Sequence, residues 1–202
     1  MNDFGIPRIA TFDSPIDPRL ILQDFGEISS SWYLESKEGA VVLKLRQAEQ
    51  LFERSTGIDL VGLMNGSWRL VYAESKTRAD RIDVPSSVCC SNESLTGQLS
   101  AGRINRRLFN RFAIQGSRLS IALLASELIE SGVLPNDQQI IESIISATTY
   151  DRFGFAVHSA PNFGASLFSN AITQCGTGTT FIDIAFDDMP KEIADFLTQC
   201  TV

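Results

Sequence analysis

Apolar and polar positions alternate along the chain in patterns that predict a small set of elements. Across residues 40–55, Val41, Leu45, Ala48, Leu51 and Phe52 recur at spacings of three and four with charges between them. That period predicts an amphipathic helix, with Gly57 as its stop. Residues 67–73 are rich in β formers and follow the Met64-Asn65-Gly66 punctuation, so they read as a strand entered through a turn. Residues 153–158 and 179–186 read as two more strands. The second alternates Thr180, Ile182, Ile184 and Phe186 against Phe181, Asp183 and Ala185, which gives it one greasy face. Residues 108–114 and 118–124 flank Gln115-Gly116-Ser117 as in a hairpin, with a helix through Ile104, Leu108 and Phe112 as the competing pattern.

Helix signals frame these strands. Asp188 and Pro190 mark the start of a C-terminal helix over 191–200 that buries Ile193, Phe196 and Leu197, and a shorter helix falls within 162–173. Residues 1–31 carry Pro7, Pro15 and Pro18 with Gly5 and Gly26, and read as a loosely structured arm. Within it Asp17 and Pro18 open a short helix that ends near Gly26. Residues 32–202 then form one domain of the α+β class. Its expected architecture is a curved, barrel-like antiparallel sheet with a long N-terminal helix before it and a C-terminal helix after it.

Composition narrows the function classes. The 202 residues are 44% hydrophobic and 20% charged, enough to bury a core without a metal or disulfide staple. The net charge of −7 argues against general attraction to nucleic acid or anionic membrane. No window is long and apolar enough to span a bilayer, and residues 1–13 show neither a secretory nor a transit pattern. The expected location is therefore the compartment of synthesis, the cytoplasm. Cys89, Cys90, Cys175 and Cys200 include no Cys-x-x-Cys, so they read as reduced thiols rather than as a zinc site or disulfide framework.

Three groups of residues are candidates for chemistry. Between residues 94 and 126 there are five arginines and no acid; Arg107 and Arg111 share a face whether the segment is helical or extended, and guanidinium forks suit phosphate or carboxylate. Cys90, the single His158 and Asp183 occur in an order found among cysteine hydrolases and transferases. The acidic run Asp183, Asp187, Asp188 and Asp195 lacks calcium-loop spacing, and Asp188 reads better as a helix cap. Neither a metal nor a cofactor is expected.

The stretch Asn65-Gly66-Ser67-Trp68-Arg69-Leu70-Val71-Tyr72, together with Gly176-Thr177-Gly178-Thr179-Thr180-Phe181-Ile182, resembles the plastid lipid-associated proteins, also called fibrillins. The resemblance implies a lipocalin-like barrel that binds a hydrophobic small molecule, such as a lipid, without catalysis, and a place in the plastid stroma where a transit segment has been removed. The leading expectation is accordingly a non-enzymatic binding protein, with Trp68, Tyr72, Phe112, Phe155 and Phe181 lining the interior and Arg107 and Arg111 at a rim. Its rivals are an adaptor that engages a protein partner through the arginine patch, and a cysteine hydrolase or transferase using Cys90, His158 and Asp183.

Overall fold

Pro18 opens the first helix, α1 (Pro18–Lys37), where its missing N–H removes no hydrogen bond. The helix continues through Gly26 because that residue is a contact device: a Cβ there would lie 1.7 Å from Thr77 Oγ1. Ser30 fastens the same close approach, its Oγ lying 2.7 Å from the Gly26 carbonyl oxygen and 3.1 Å from Ser75 Oγ. Gly39, at φ +68, follows the helix and turns the chain. The helix thus starts at Pro18, where the sequence placed its opening, and runs on past the expected end near Gly26 to Lys37, giving Ile21, Leu22 and Phe25 to the core.

The computed structural model describes residues 18–43, 59–79, 83–89, 91–100, 126, 129–130, 132, 135–146, 150–159, 163–175 and 178–200. After α1 come β1 (Ala40–Leu43), β2 (Leu60–Met64), β3 (Leu70–Arg78), α2 (Val84–Val88), α3 (Leu95–Gln98) and α4 (Gln138–Ser146). The chain then forms β4 (Tyr150–Ser159), a 3-10 turn (Gly164–Phe168), α5 (Ser169–Cys175), β5 (Thr179–Phe186) and α6 (Met189–Cys200). The start of the helix expected over 40–55 is instead β1, where Val41 and Val42 pair with Leu63 and Gly62. Two adjacent β-branched residues favour a pleated partner over a helical turn. Residues 44–55 and the hairpin expected at 108–124 lie outside the described residues.

The five strands form one sheet in the order β1-β2-β3-β4-β5. β1, β2 and β3 are antiparallel neighbours, whereas β3, β4 and β5 run parallel. The sheet is therefore mixed and open, with β1 and β5 at its edges, where an antiparallel barrel was expected. Parallel neighbours need crossover connections, and the crossovers place helices over the sheet.

Strand alternation gives each face its own core. One face presents Val71, Ala73, Phe153, Phe155, Val157 and Ile182 to Ile21, Leu22, Phe25 and Leu34 of α1 and to Met189, Ile193 and Leu197 of α6. The other presents Tyr72 and Ala156 to Val84, Val88, Leu95, Leu99, Phe168 and Ala171 from α2, α3, the 3-10 turn and α5. On that side Gly154 makes room for two neighbours, since a Cβ there would meet Phe181 Cδ1 at 2.7 Å and Leu99 Cδ1 at 2.8 Å. Asp188 caps α6 as expected, its Oδ1 accepting the Lys191 N–H at 3.1 Å. The chain is an α+β domain whose sheet is preceded and followed by helices.

Candidate functional site

The two faces of the sheet differ in chemistry. The α1/α6 face carries the larger apolar cluster, with Ser30 and Ser75 hydrogen-bonded within it, whereas alternation puts Tyr72, Glu74, Lys76 and Arg78 of β3, Tyr150, Arg152 and His158 of β4, and Thr179 and Asp183 of β5 on the other face. Three polar groupings stand there.

At the carboxyl end of β4, His158 Nε2 lies 2.5 Å from Asp183 Oδ1 and Nδ1 lies 2.6 Å from the Ser159 carbonyl oxygen. A carbonyl only accepts, so Nδ1 carries a proton, and Nε2 and the carboxyl share another. Asp183 Oδ2 accepts the Phe163 N–H at 3.0 Å, and the Phe163 ring stands edge-on to the imidazole at 5.1 Å. His158 is fully buried. In a nucleophilic triad one ring nitrogen faces the acid and the other the nucleophile; here the second nitrogen faces a backbone carbonyl. The order His then Asp in the sequence thus identified a real contact. Cys90 lies outside the described residues, and Cys89 is buried at the end of α2.

At the β2–β3 hairpin, Tyr72 donates to Glu74 Oε1 at 2.8 Å and the Ser75 N–H donates to Asp59 Oδ2 at 2.9 Å. Asp59 and Glu74 also share a carboxyl–carboxyl hydrogen bond. Burial holds Asp59 well above the usual carboxylate range, the Glu74 charge and hydrogen bond add to this, and Ser75 and Lys76 oppose it. Sequence reasoning missed this pair. The available signal was Tyr72 and Glu74 at i and i+2 on one strand, which places them on one face.

The third grouping sits at the start of β4 and β5. Arg152 Nη1 donates to the Leu99 carbonyl at 3.2 Å, and Arg152 is the Cα partner of Thr179. Burial pushes up both the Tyr150 phenol and the Cys175 thiol, while the Arg152 charge pulls each down; Cys89 pushes Cys175 up further. Thr179 Oγ1 and Gln98 Oε1 are buried without a hydrogen-bond partner. Among the described residues no three His, Cys, Asp or Glu side chains gather as a metal site.

The residues expected to line one interior are divided between the layers. Tyr72 and Phe181 belong to the α2/α3/α5 side, and Phe155 to the α1/α6 side. Trp68 is half-buried at φ +53 in the turn before β3, where its N–H donates to the Met64 carbonyl at 2.8 Å. An open sheet gives these four side chains no common cavity. Phe112, Arg107 and Arg111 lie outside the described residues. Gly178, at φ +83, does lead the chain into the last strand.

A further feature lies away from the sheet's polar face. On α1, Trp32 is 60% exposed and Ile28, one turn earlier, 36% exposed, and the Lys37 ammonium lies 5.9 Å from the centre of the indole. No helix among the described residues is long and apolar enough to cross a membrane. The fold and its polar face define an α+β domain with a two-layered core; no family model, curated protein or solved structure matches the chain.

Proposed function

We propose that the chain is a non-enzymatic binding protein that engages a protein partner through the exposed flank of α1, with Trp32 as the anchor. The observation that carries this reading is the 60% exposure of Trp32 on a helix whose opposite flank is fixed to the sheet. Ile21, Leu22, Phe25 and Leu34 hold α1 in place, so the indole is presented by a rigid element. Trp is the residue type most often found as an interface hot spot, because it brings a large apolar surface with few rotamers to order. Ile28 and Trp32 are four residues apart, the spacing by which helices dock their anchors into apolar grooves. The Lys37 contact limits the indole's freedom before binding.

Lysine-reactive crosslinking in the cell tests the reading. Lys37 on α1 and Lys191 on α6 are both exposed, so each reports on its own flank. Crosslinks to a second protein concentrate at Lys37 and disappear in Trp32→Glu. Equal crosslinking at Lys191, or crosslinks that survive Trp32→Glu in the folded variant, contradicts the reading.

A further inference from the structure

We infer that the surface receiving Trp32 is an apolar groove of a separate protein, edged by a carboxylate that takes the Lys37 ammonium when the indole docks. The inference rests on the α1 docking surface proposed above and names the chemistry of what covers it. It starts from one contact: the Lys37 ammonium lies 5.9 Å from the centre of the Trp32 ring, within the reach at which an aromatic face holds a cation. Both side chains are exposed. Lys37 also stands in the last turn of α1, at the negative end of the helix dipole, which keeps its charge there. A groove that covers the indole therefore takes this ammonium partly out of water.

A ring face attracts the charge but does not satisfy the three N–H donors of an ammonium, and desolvating them without acceptors is costly. The chain does not supply the acceptor. Glu35 and Glu38 are the nearest acids in sequence, yet offsets of two and one residues do not face each other on a helix. Among the described residues no ion pair joins Lys37 to an acid. The acceptor therefore comes with the partner. A single carboxylate fits better than an acidic patch, because the chain carries a net charge of −7 and a strongly acidic surface would be repelled before contact. Ile28 lies one turn before Trp32, on the side away from Lys37, and is exposed with it. The groove is accordingly polarised: apolar beside Ile28, and acidic beyond Trp32 toward the carboxyl end of α1.

The test captures the complex before probing it. The full chain with a photo-crosslinking phenylalanine analogue at position 28 is irradiated in intact cells. The adduct is purified in native form and treated with a carbodiimide, which condenses a lysine amine with a carboxylate in contact. Peptide mapping is expected to find an amide between Lys37 Nζ and an Asp or Glu of the captured protein. Lys37→Arg retains the adduct without that amide. Lys37→Glu lowers the adduct yield roughly tenfold or more, since like charges then meet at a desolvated contact, and Lys37→Gln lowers it several-fold; melting curves confirm that both variants are folded. An adduct that forms without the Lys37 amide, or whose yield is unchanged in Lys37→Glu or Lys37→Gln, overturns the carboxylate and leaves the Trp32 surface standing. An amide to a second copy of this chain overturns the separate partner. No adduct from position 28 overturns the docking surface and this inference with it.

Discussion

His158 and Asp183 face each other across β4 and β5, Nε2 to Oδ1 at 2.5 Å, with every remaining polar atom of the pair held by backbone: Nδ1 on the Ser159 carbonyl and Oδ2 on the Phe163 N–H. A buried pair satisfied on all sides is a fastener. It ties the carboxyl end of β4 to the middle of β5 and to the chain entering the 3-10 turn. Removing one partner strands the other in the interior, so Asp183→Ala is expected to cost roughly 3–5 kcal/mol in urea unfolding. A loss below about 1 kcal/mol would show that the pair is not buried as described.

The Asp59–Glu74 pair makes a pH prediction. Asp59 keeps its proton in the folded chain at pH values where the unfolded chain, with an ordinary carboxyl near about pH 4, has released it. The unfolded state then binds fewer protons, so this group's contribution to stability falls as pH rises above about 4 toward the raised folded value. Asp59→Asn keeps an oxygen for the Ser75 N–H and removes the titration. The variant is therefore expected to be more stable than the native chain at pH 7 to 8, with the difference shrinking toward pH 4. Parallel denaturation curves at three pH values check this, and a difference that does not vary with pH refutes it.

Gly26 and Gly154 are space-making glycines of unequal severity. At Gly154 the obstructing atoms are side-chain ends, Phe181 Cδ1 and Leu99 Cδ1 at 2.7 and 2.8 Å, which can rotate aside. At Gly26 the nearest atom is Thr77 Oγ1 at 1.7 Å, with Thr77 Cβ at 3.0 Å, and relief requires α1 to lift from β3. Gly154→Ala is expected to cost about 1–3 kcal/mol and Gly26→Ala more than that. Thr77→Ala in the Gly26→Ala background recovers part of the loss. Thermal unfolding of the three variants orders them, and Gly26→Ala milder than Gly154→Ala would contradict the packing.

These outcomes show what local pattern carries and what it does not. β3, β4 and β5 and the Asp188 cap of α6 were legible, because β-branched and aromatic alternation and an Asp before Pro190 are local signals. The direction in which strands pair is not local, and the same alternation suits an antiparallel barrel as well as the mixed sheet that forms. Val41 and Val42 fit either a helical stripe or a short edge strand, and the stripe misled. Gly26 read as a helix stop, although its role is to admit Thr77 from another element. Within the candidate sites, His158 and Asp183 stood out as polar residues in apolar strands. Glu74 looked like an ordinary solvent-facing strand residue, and its partner Asp59 lies fifteen residues earlier. Trp32 fell at the edge of a presumed arm, where no pattern distinguishes an exposed aromatic from a buried one.

The proposed protein-docking surface is the α1 flank that carries Trp32. Its most direct test places a photo-crosslinking phenylalanine analogue at position 28 in the full chain, with the same analogue at position 192 on α6 as the control, and irradiates intact cells. The claim predicts a discrete adduct of higher mass from position 28, absent from position 192 and lost when Trp32→Glu is added. No adduct from position 28, or one that persists with Trp32→Glu in the folded chain, would contradict it.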